Sequence, residues 1–386
     1  MSTKISIVNV NNFDGIPDAV IGAIKLIEKD IHFDFTKSKN ILLKPNLLTT
    51  KKDACTQPGF VEGVISYLKA IGVSMDSVYL GDSPGQSQKL GSDVAKEIGI
   101  YEICETHGLN FVDFESNIPI NEKIEGALRL KEIRIAKAVK DCDILINLPR
   151  LKSHLEATMT GAIKNYWGII PGGLKAHYHL FGKTAEQFGE VLADNFSWIV
   201  KNKPNRLTVY DLQEIMEGRM GPGAGRMKQW DLILAGTDEL ALDIVALEIG
   251  KIKSKNVPHI KNGIERNLGI GKLENIEILG LSLEEAKEQT PKFKVPGNTF
   301  TSFIGYMSGH IGYKIIKKIP KLIKSKCIQC GECALNCPAE AIEFETNSFP
   351  IFLRKKCISC FCCAELCSES AIKAKTRGIG GLFSKN

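Results

Sequence analysis

Two runs of cysteine near the C-terminus constrain this chain more than any other feature. Cys327, Cys330, Cys333 and Cys337 form the first, and Cys357, Cys360, Cys363 and Cys367 the second. Each run is spaced C-x2-C-x2-C-x3-C. At this spacing three thiolates close around the corners of one cubane and the fourth reaches a neighbouring one. The spacing therefore predicts two [4Fe–4S] clusters and transfer of electrons one at a time. The competing reading is a pair of zinc sites. Those join two C-x2-C knuckles and have no use for the third closely spaced cysteine.

The runs belong to an internal repeat. Cys327-Ile328-Gln329-Cys330 aligns with Cys357-Ile358-Ser359-Cys360, and Ala341-Ile342 with Ala371-Ile372. So small a unit cannot bury a sufficient apolar core, so metal–thiolate bonds must carry much of its folding free energy. The module resembles the bacterial two-cluster ferredoxin. That resemblance implies Cys327, Cys330, Cys333 and Cys367 as ligands of one cluster, and Cys357, Cys360, Cys363 and Cys337 of the other. Pro338 follows Cys337 as the pattern expects, whereas Ser368 stands where the second proline would be. Cys362 is an extra thiol, read as a small packing residue in preference to an exchanging ligand.

Nine of the 12 cysteines lie between Cys327 and Cys367, while Cys55, Cys104 and Cys142 stand singly. A disulfide framework does not fit this distribution; a reducing, anaerobic, cytoplasmic setting does. No apolar leader follows Met1 and no apolar run is long enough to span a bilayer, so no transmembrane segment is expected. The net charge of +6 is too mild to imply nucleic acid and suits an acidic redox partner protein or low-potential electron donor.

With 386 residues there is room for two or three domains. Before the cysteines, strand-like and helix-like segments alternate. Strands are expected over 4–10, 41–44, 77–80, 110–113, 143–147, 207–210, 232–235 and 276–279, and helices over 17–29, 59–70, 93–107, 185–201 and 239–250. Several strands are continuous apolar runs, which suits a mostly parallel sheet buried on both faces. The fold class is therefore a layered α/β domain, as one sheet or two subdomains, with a small C-terminal α+β ferredoxin-like domain. The expected divisions are an α/β domain over 1–295, a basic linker over 296–326, the two-cluster domain over 327–375 and a flexible tail over 376–386. The stretch 312–326, with lysines among isoleucines and Pro320, reads as a short surface helix or linker; a docking or membrane-surface face is the alternative.

Ligands of open α/β sheets bind beyond the carboxyl ends of the strands. Those ends carry Lys44-Pro45-Asn46, Gly81-Asp82-Ser83-Pro84-Gly85, the run from Asn147 to His154, Asp211, and Gly236-Thr237-Asp238. Asp82 and Asp238 are equally readable as helix caps. Lysine and histidine are not needed for capping, so the group favours a site. Lys152 to Lys175 is the densest polar segment. If Thr158 or Thr160 opens a helix, its N–H groups would hold an anion. Lys152, His154 and Lys164 are then candidates for charge neutralisation and proton transfer. Lys44, Asn46, Asp82 and Asn165 are candidates for substrate binding. His177 and His179 read as surface residues. Gly221 and Gly223, in a glycine loop after Glu217, are candidate backbone contacts; the loop lacks P-loop spacing, so nucleotide binding has weak support. No G-x-G-x-x-G follows the first strand and no G-x-S-x-G occurs.

Lys44-Pro45-Asn46, Gly81-Asp82-Ser83-Pro84-Gly85, Lys152-x-His154, Thr160-Gly161-Ala162-Ile163-Lys164-Asn165, Glu217-Gly218 with Gly221-Pro222-x-Ala224-Gly225, and Asp238 with Ala241-Leu242-Asp243 resemble the DUF362 family over roughly 5–290. Many such proteins carry a C-terminal two-cluster ferredoxin module. The resemblance implies architecture and little chemistry. A more remote likeness, to the α/β fold of nickel-dependent lactate racemase, bears on fold class alone.

Three functions follow as expectations. The first is a ferredoxin-type reductase, an oxidoreductase passing electrons from two [4Fe–4S] clusters to an anionic small-molecule substrate or cofactor in the α/β domain. The second is an electron carrier or metalloenzyme maturation partner without its own substrate. The third is a transferase- or ligase-like anion binder whose clusters sense redox state.

Overall fold

The computed structural model describes residues 2–85, 89–116, 118–218, 225–296 and 318–376. The chain begins with strands β1 (Thr3–Asn9), β2 (Ile41–Lys44), β3 (Val78–Asp82) and β4 (Asn110–Asp113), followed by a small antiparallel pair, β5 (Ile120–Lys123) and β6 (Glu132–Ile135). Then come β7 (Ile144–Asn147), β8 (Arg150–His154), β9 (Thr158–Thr160), β10 (Arg206–Glu217), β11 (Arg226–Gly236) and β12 (Ile276–Gly280). All but β5 and β6 join one sheet, whose main path is β12-β1-β11-β10-β7-β2-β3-β4. The sheet is mostly parallel, with β11 antiparallel to β1 and β10. β10 pairs first with β7 and then, past Asp211, with β8, which carries β9 at its side.

Successive residues of a strand face opposite ways. Ile7, Leu42, Leu145 and Leu234 therefore enter one core, which includes the helices Ala185–Asn202 and Glu239–Ile249. Val8, Ile41, Leu43, Ile144, Ile146 and Ile233 enter the other, under the helices Ile16–Ile27 and Pro58–Ala70. Pro17 and Pro58 sit in first turns, where a missing N–H loses no helical bond. The helix expected over 93–107 is two helices, Gly91–Ile98 and Ile100–His107. Gly99 lies between them at φ 88°, a left-handed conformation that ends the first.

In the cysteine module β13 (Lys318–Leu322) pairs antiparallel with β16 (Ile372–Thr376), and β14 (Ile342–Glu343) with β15 (Ile351–Phe352). Where a surface helix or linker is expected, residues 318–322 thus form a strand. Pro320 is tolerated because the ribbon has only two strands and an unpaired outer edge. The repeat is written into the backbone. Gln329 and Ser359, Gly331 and Phe361, and Glu340 and Ser370 all take positive φ at matching places. The tail beyond Thr376 and the glycine loop with Gly221 and Gly223 lie outside the described residues. Among the described residues no helix is long and apolar enough to cross a membrane.

Candidate functional site

Lys44 ends β2, Asp82 ends β3 and Asn147 ends β7, three neighbouring parallel strands, so their side chains meet at one edge. Lys44 and Asp82 pair at 2.8 Å, both buried. Asp82 also accepts from the Leu47 N–H at 2.7 Å, so it is no helix cap. Gly168 lies against this pair: a Cβ there would stand 2.2 Å from Asp82 Oδ1 and 2.7 Å from Lys44 Nζ. Asp238, by contrast, does cap its helix, accepting from the Ala241 N–H at 3.0 Å.

A directed chain of hydrogen bonds crosses the edge. Lys152 Nζ donates to Asn46 Oδ1 and to the Ala54 carbonyl, both at 2.6 Å. Asn46 donates to Asn165 at 2.7 Å, Asn165 to Asn147 at 2.7 Å, and Asn147 to the Ala162 carbonyl at 3.1 Å. Burial without a carboxylate partner drives Lys152 down to about 7. Its proton is therefore transferable near neutral pH.

Thr158 and Thr160 lie in β9, and the helix Ala162–Asn165 starts only after Gly161. Its first N–H groups already hold an anion. Ala162 and Ile163 donate to the Asp243 carboxyl at 2.8 and 3.0 Å. The ligand expected at this terminus is thus the protein's own side chain, which burial raises to about 7. What the short helix does present is Lys164, one turn in.

His154 is fully buried, with both ring nitrogens engaged. Nδ1 accepts from the N–H groups of Glu156 and Ala157 at 3.2 and 3.0 Å, which leaves the ring proton on Nε2. Nε2 meets Glu365 Oε1 at 2.7 Å. Burial holds His154 neutral, its pKa down at about 4. Burial opposes charge on Glu365 too, but His154, Lys164 and His179 outweigh it and bring the carboxyl to about 2. His177 is exposed, as the sequence implies, but His179 is buried. It pairs with Glu156 at 3.0 Å and stacks on Phe188 with 4.1 Å between rings. Burial disfavours its charge, yet the Glu156 carboxylate raises its pKa above the usual value.

These groups surround a cavity of about 80 Å³. Of the residues expected from the sequence, Asn46, Asp82, Lys152, Lys164 and Asn165 line it; Lys44 stands behind Asp82, and His154 behind Glu365. Ser83 and Lys175, not among the candidate site residues, also line it, as does His179, which the sequence reads as a surface residue. Lys175 donates to the Ser83 carbonyl at 2.9 Å and to its hydroxyl, and burial lowers it to about 8. The last wall is supplied by the cysteine module, through Cys362, Glu365 and Leu366. The halves also meet where Lys51 donates to Ser370 at 3.0 Å and where Leu155 joins Phe361 and Ile372.

Within the module the cysteines form two quartets. Cys327, Cys330, Cys333 and Cys367 wall one hollow of about 20 Å³. Cys337, Cys357, Cys360 and Cys363 wall a second of about 20 Å³. Among the described residues no three ligand-type side chains converge on one metal ion. Each hollow is walled by four cysteines, the ligand number that a [4Fe–4S] cluster takes. The N–H groups of Ala341 and Ala371 donate to Cys337 and Cys367 at 3.2 Å, as suits thiolate ligands. The quartets differ in setting: Cys330 is exposed, whereas Cys360 and Cys363 are buried beside the large domain.

Residues 41–248 match the family DUF362, a domain of unknown function, and residues 320–343 match a 4Fe-4S binding domain. A thylakoid-associated protein of Synechocystis sp. is 32% identical over 222 residues, or 56% of this chain and 65% of that relative. The chain thus spans just under two thirds of that relative's length. A lactate racemase apoprotein from Thermoanaerobacterium thermosaccharolyticum gives a TM-score of 0.40 at 12% identity, over 63% of this chain and 55% of that one. A Thermotoga maritima protein gives 0.34 at 14%, over 57% and 54%. Scores at this level support no argument.

Proposed function

We propose, for a chain that belongs to the DUF362 family and has an iron–sulfur electron-transfer role through its 4Fe-4S binding domain, that it is a ferredoxin-type reductase with its active site in the cavity between its two halves. The observation that carries this reading is the shared wall. The segment holding Cys360 and Cys363 also presents Cys362, Glu365 and Leu366 to the strand-end cavity.

The two quartets are each suited to one [4Fe–4S] cluster, and two clusters supply two electrons singly. Cys327, Cys330, Cys333 and Cys367 would hold a cluster on the more exposed side, open to a low-potential donor protein, and Cys337, Cys357, Cys360 and Cys363 would hold one in the segment that also walls the cavity. A two-electron reduction there also takes up two protons. Lys152, poised near 7, delivers one to the substrate and is reprotonated from solvent, which also supplies the second. Asn46, Asn165 and Asn147 hold Lys152 in place. Lys164 offsets negative charge on the substrate. Lys44 and Asp82 fix the floor, and His154 positions Glu365. Gly221 and Gly223 remain candidates for backbone contact.

Anaerobic reconstitution tests the reading. About eight irons per chain are expected, as two four-iron clusters require. Cys360→Ser should remove the signal of one cluster and abolish reoxidation of the reduced protein by substrate. Four irons in the parent chain, or reoxidation unaffected by Cys360→Ser, would overturn it.

A further inference from the structure

Among the described residues, three polar side chains on the cavity wall have a nitrogen or hydroxyl without a hydrogen-bond partner. The Lys164 ammonium makes no hydrogen bond among the described residues and has no carboxylate within ion-pair distance. His179 spends Nδ1 on Glu156 and leaves Nε2 open. Thr160 is only 4% exposed, yet its hydroxyl has no partner. The other lysines are better served: Lys152 gives two N–H bonds to Asn46 and Ala54, and Lys175 two to Ser83. Of the wall's carboxylates, Asp82 is held by Lys44, and Glu365, in contact with the neutral His154, acts on Lys164 only from beyond ion-pair distance. A wall with donors to spare calls for a ligand rich in acceptors. Water would take the hydrogen bonds but bring no charge to Lys164, which feels Glu365 and Glu156 only from beyond ion-pair distance.

We propose that the cavity binds a small oxyanion, a carboxylate or phosphate group of a compact molecule, with the Lys164 ammonium as its counter-ion and the Thr160 hydroxyl and His179 Nε2 as further donors. This rests on the reductase reading above and names the substrate class of that site. The cavity, of about 80 Å³, has room for such a group. Lys164 shares the cavity wall with Cys362 and Glu365 and feels the charge of the Glu365 carboxylate. The bound group therefore sits against the segment that carries Cys360 and Cys363.

The test uses the reconstituted full chain with its iron in place. Thermal unfolding is followed while inorganic phosphate is added in one arm and oxalate in the other, with chloride at matched ionic strength as the blank. One of the two anions should raise the melting temperature saturably, and chloride should not. Lys164→Met should weaken that anion at least about tenfold, the loss expected of one charged hydrogen bond. Lys164→Arg, which keeps the positive charge, should bind that anion nearly as the parent does, a rescue that a merely structural lysine would not give. Thr160→Val should weaken binding several-fold. Equal binding by Lys164→Met, or no saturable response to either anion, would overturn the proposal. Iron content read in each sample separates the two failures. A chain with both clusters intact and no anion response loses the oxyanion site alone; a chain short of iron loses the reductase reading.

Discussion

His154 shows how one side chain can couple two halves of a protein. Its neutral ring satisfies two backbone N–H groups on one side and a buried carboxylate on the other. Removing either partner of this contact should therefore be unequal in effect. His154→Ala leaves Glu365 charged and buried without its nearest donor, a loss of about 3 kcal/mol. Glu365→Ala leaves only a neutral N–H unpaired, at about 1–2 kcal/mol. Denaturant unfolding of the two iron-loaded variants should rank them in that order. Acid should act on the same residue. The folded state keeps His154 neutral down to about 4, while the unfolded chain takes up its proton near 6.5. The stability this contributes is fully present above pH 6.5 and is lost as pH falls from there toward 4. The fall amounts to about 3 kcal/mol from this group. A pH series of unfolding midpoints should show it in the parent and not in His154→Ala.

At the scale of elements, the tightest construction is the meeting of β2, β3 and the turn after the helix Ala162–Asn165. Gly168→Ala would place a methyl within van der Waals overlap of Asp82 and Lys44. Separating that pair inside the fold should destabilise by about 3 kcal/mol or more and open the cavity floor, measurable by thermal unfolding. Much of this layer was legible beforehand. Ile41 to Lys44 and Ile144 to Asn147 read as strands because burial on both faces leaves no alternation to obscure them. β8 was not legible, for an opposite reason. Arg150, Lys152, Ser153 and His154 are all buried, and a hydropathy pattern reads such a run as an exposed loop. The strand-end polar residues marked the edge where Asn46, Asp82, Lys152 and Asn165 come together. They could not show that Lys175 and His179 are buried, since that depends on partners away in sequence, Ser83 and Glu156. Glu365 had no signal at all, since a lone glutamate among cysteines reads as a solvated residue. The helix terminus at Ala162 misled because its anion, Asp243, comes from a helix some eighty residues later.

For the molecule as a whole, unequal cores set the order of failure. The sheet is packed on both faces by extensive apolar clusters, whereas the cysteine module has one small cluster around Ile342, Phe361 and Ile372. Stripping the iron should therefore release β13 to β16 and spare β2, β3 and β7. Amide hydrogen exchange on the iron-free chain is the measurement: protection should vanish over 318–376 and persist over 41–44 and 144–147. Unchanged protection in β13 to β16 would show that the module folds without metal. Such a chain would also lose the fourth wall of its cavity, so ligand response should disappear with the iron.

The wall contributed by the module also limits what can be exchanged. A Cβ on Gly85 would stand 2.8 Å from the Leu366 side chain and 3.1 Å from the Leu48 carbonyl, so bulk added there must be met by movement across the seam. A foreign ferredoxin joined to this large domain should therefore seat poorly unless its contour matches.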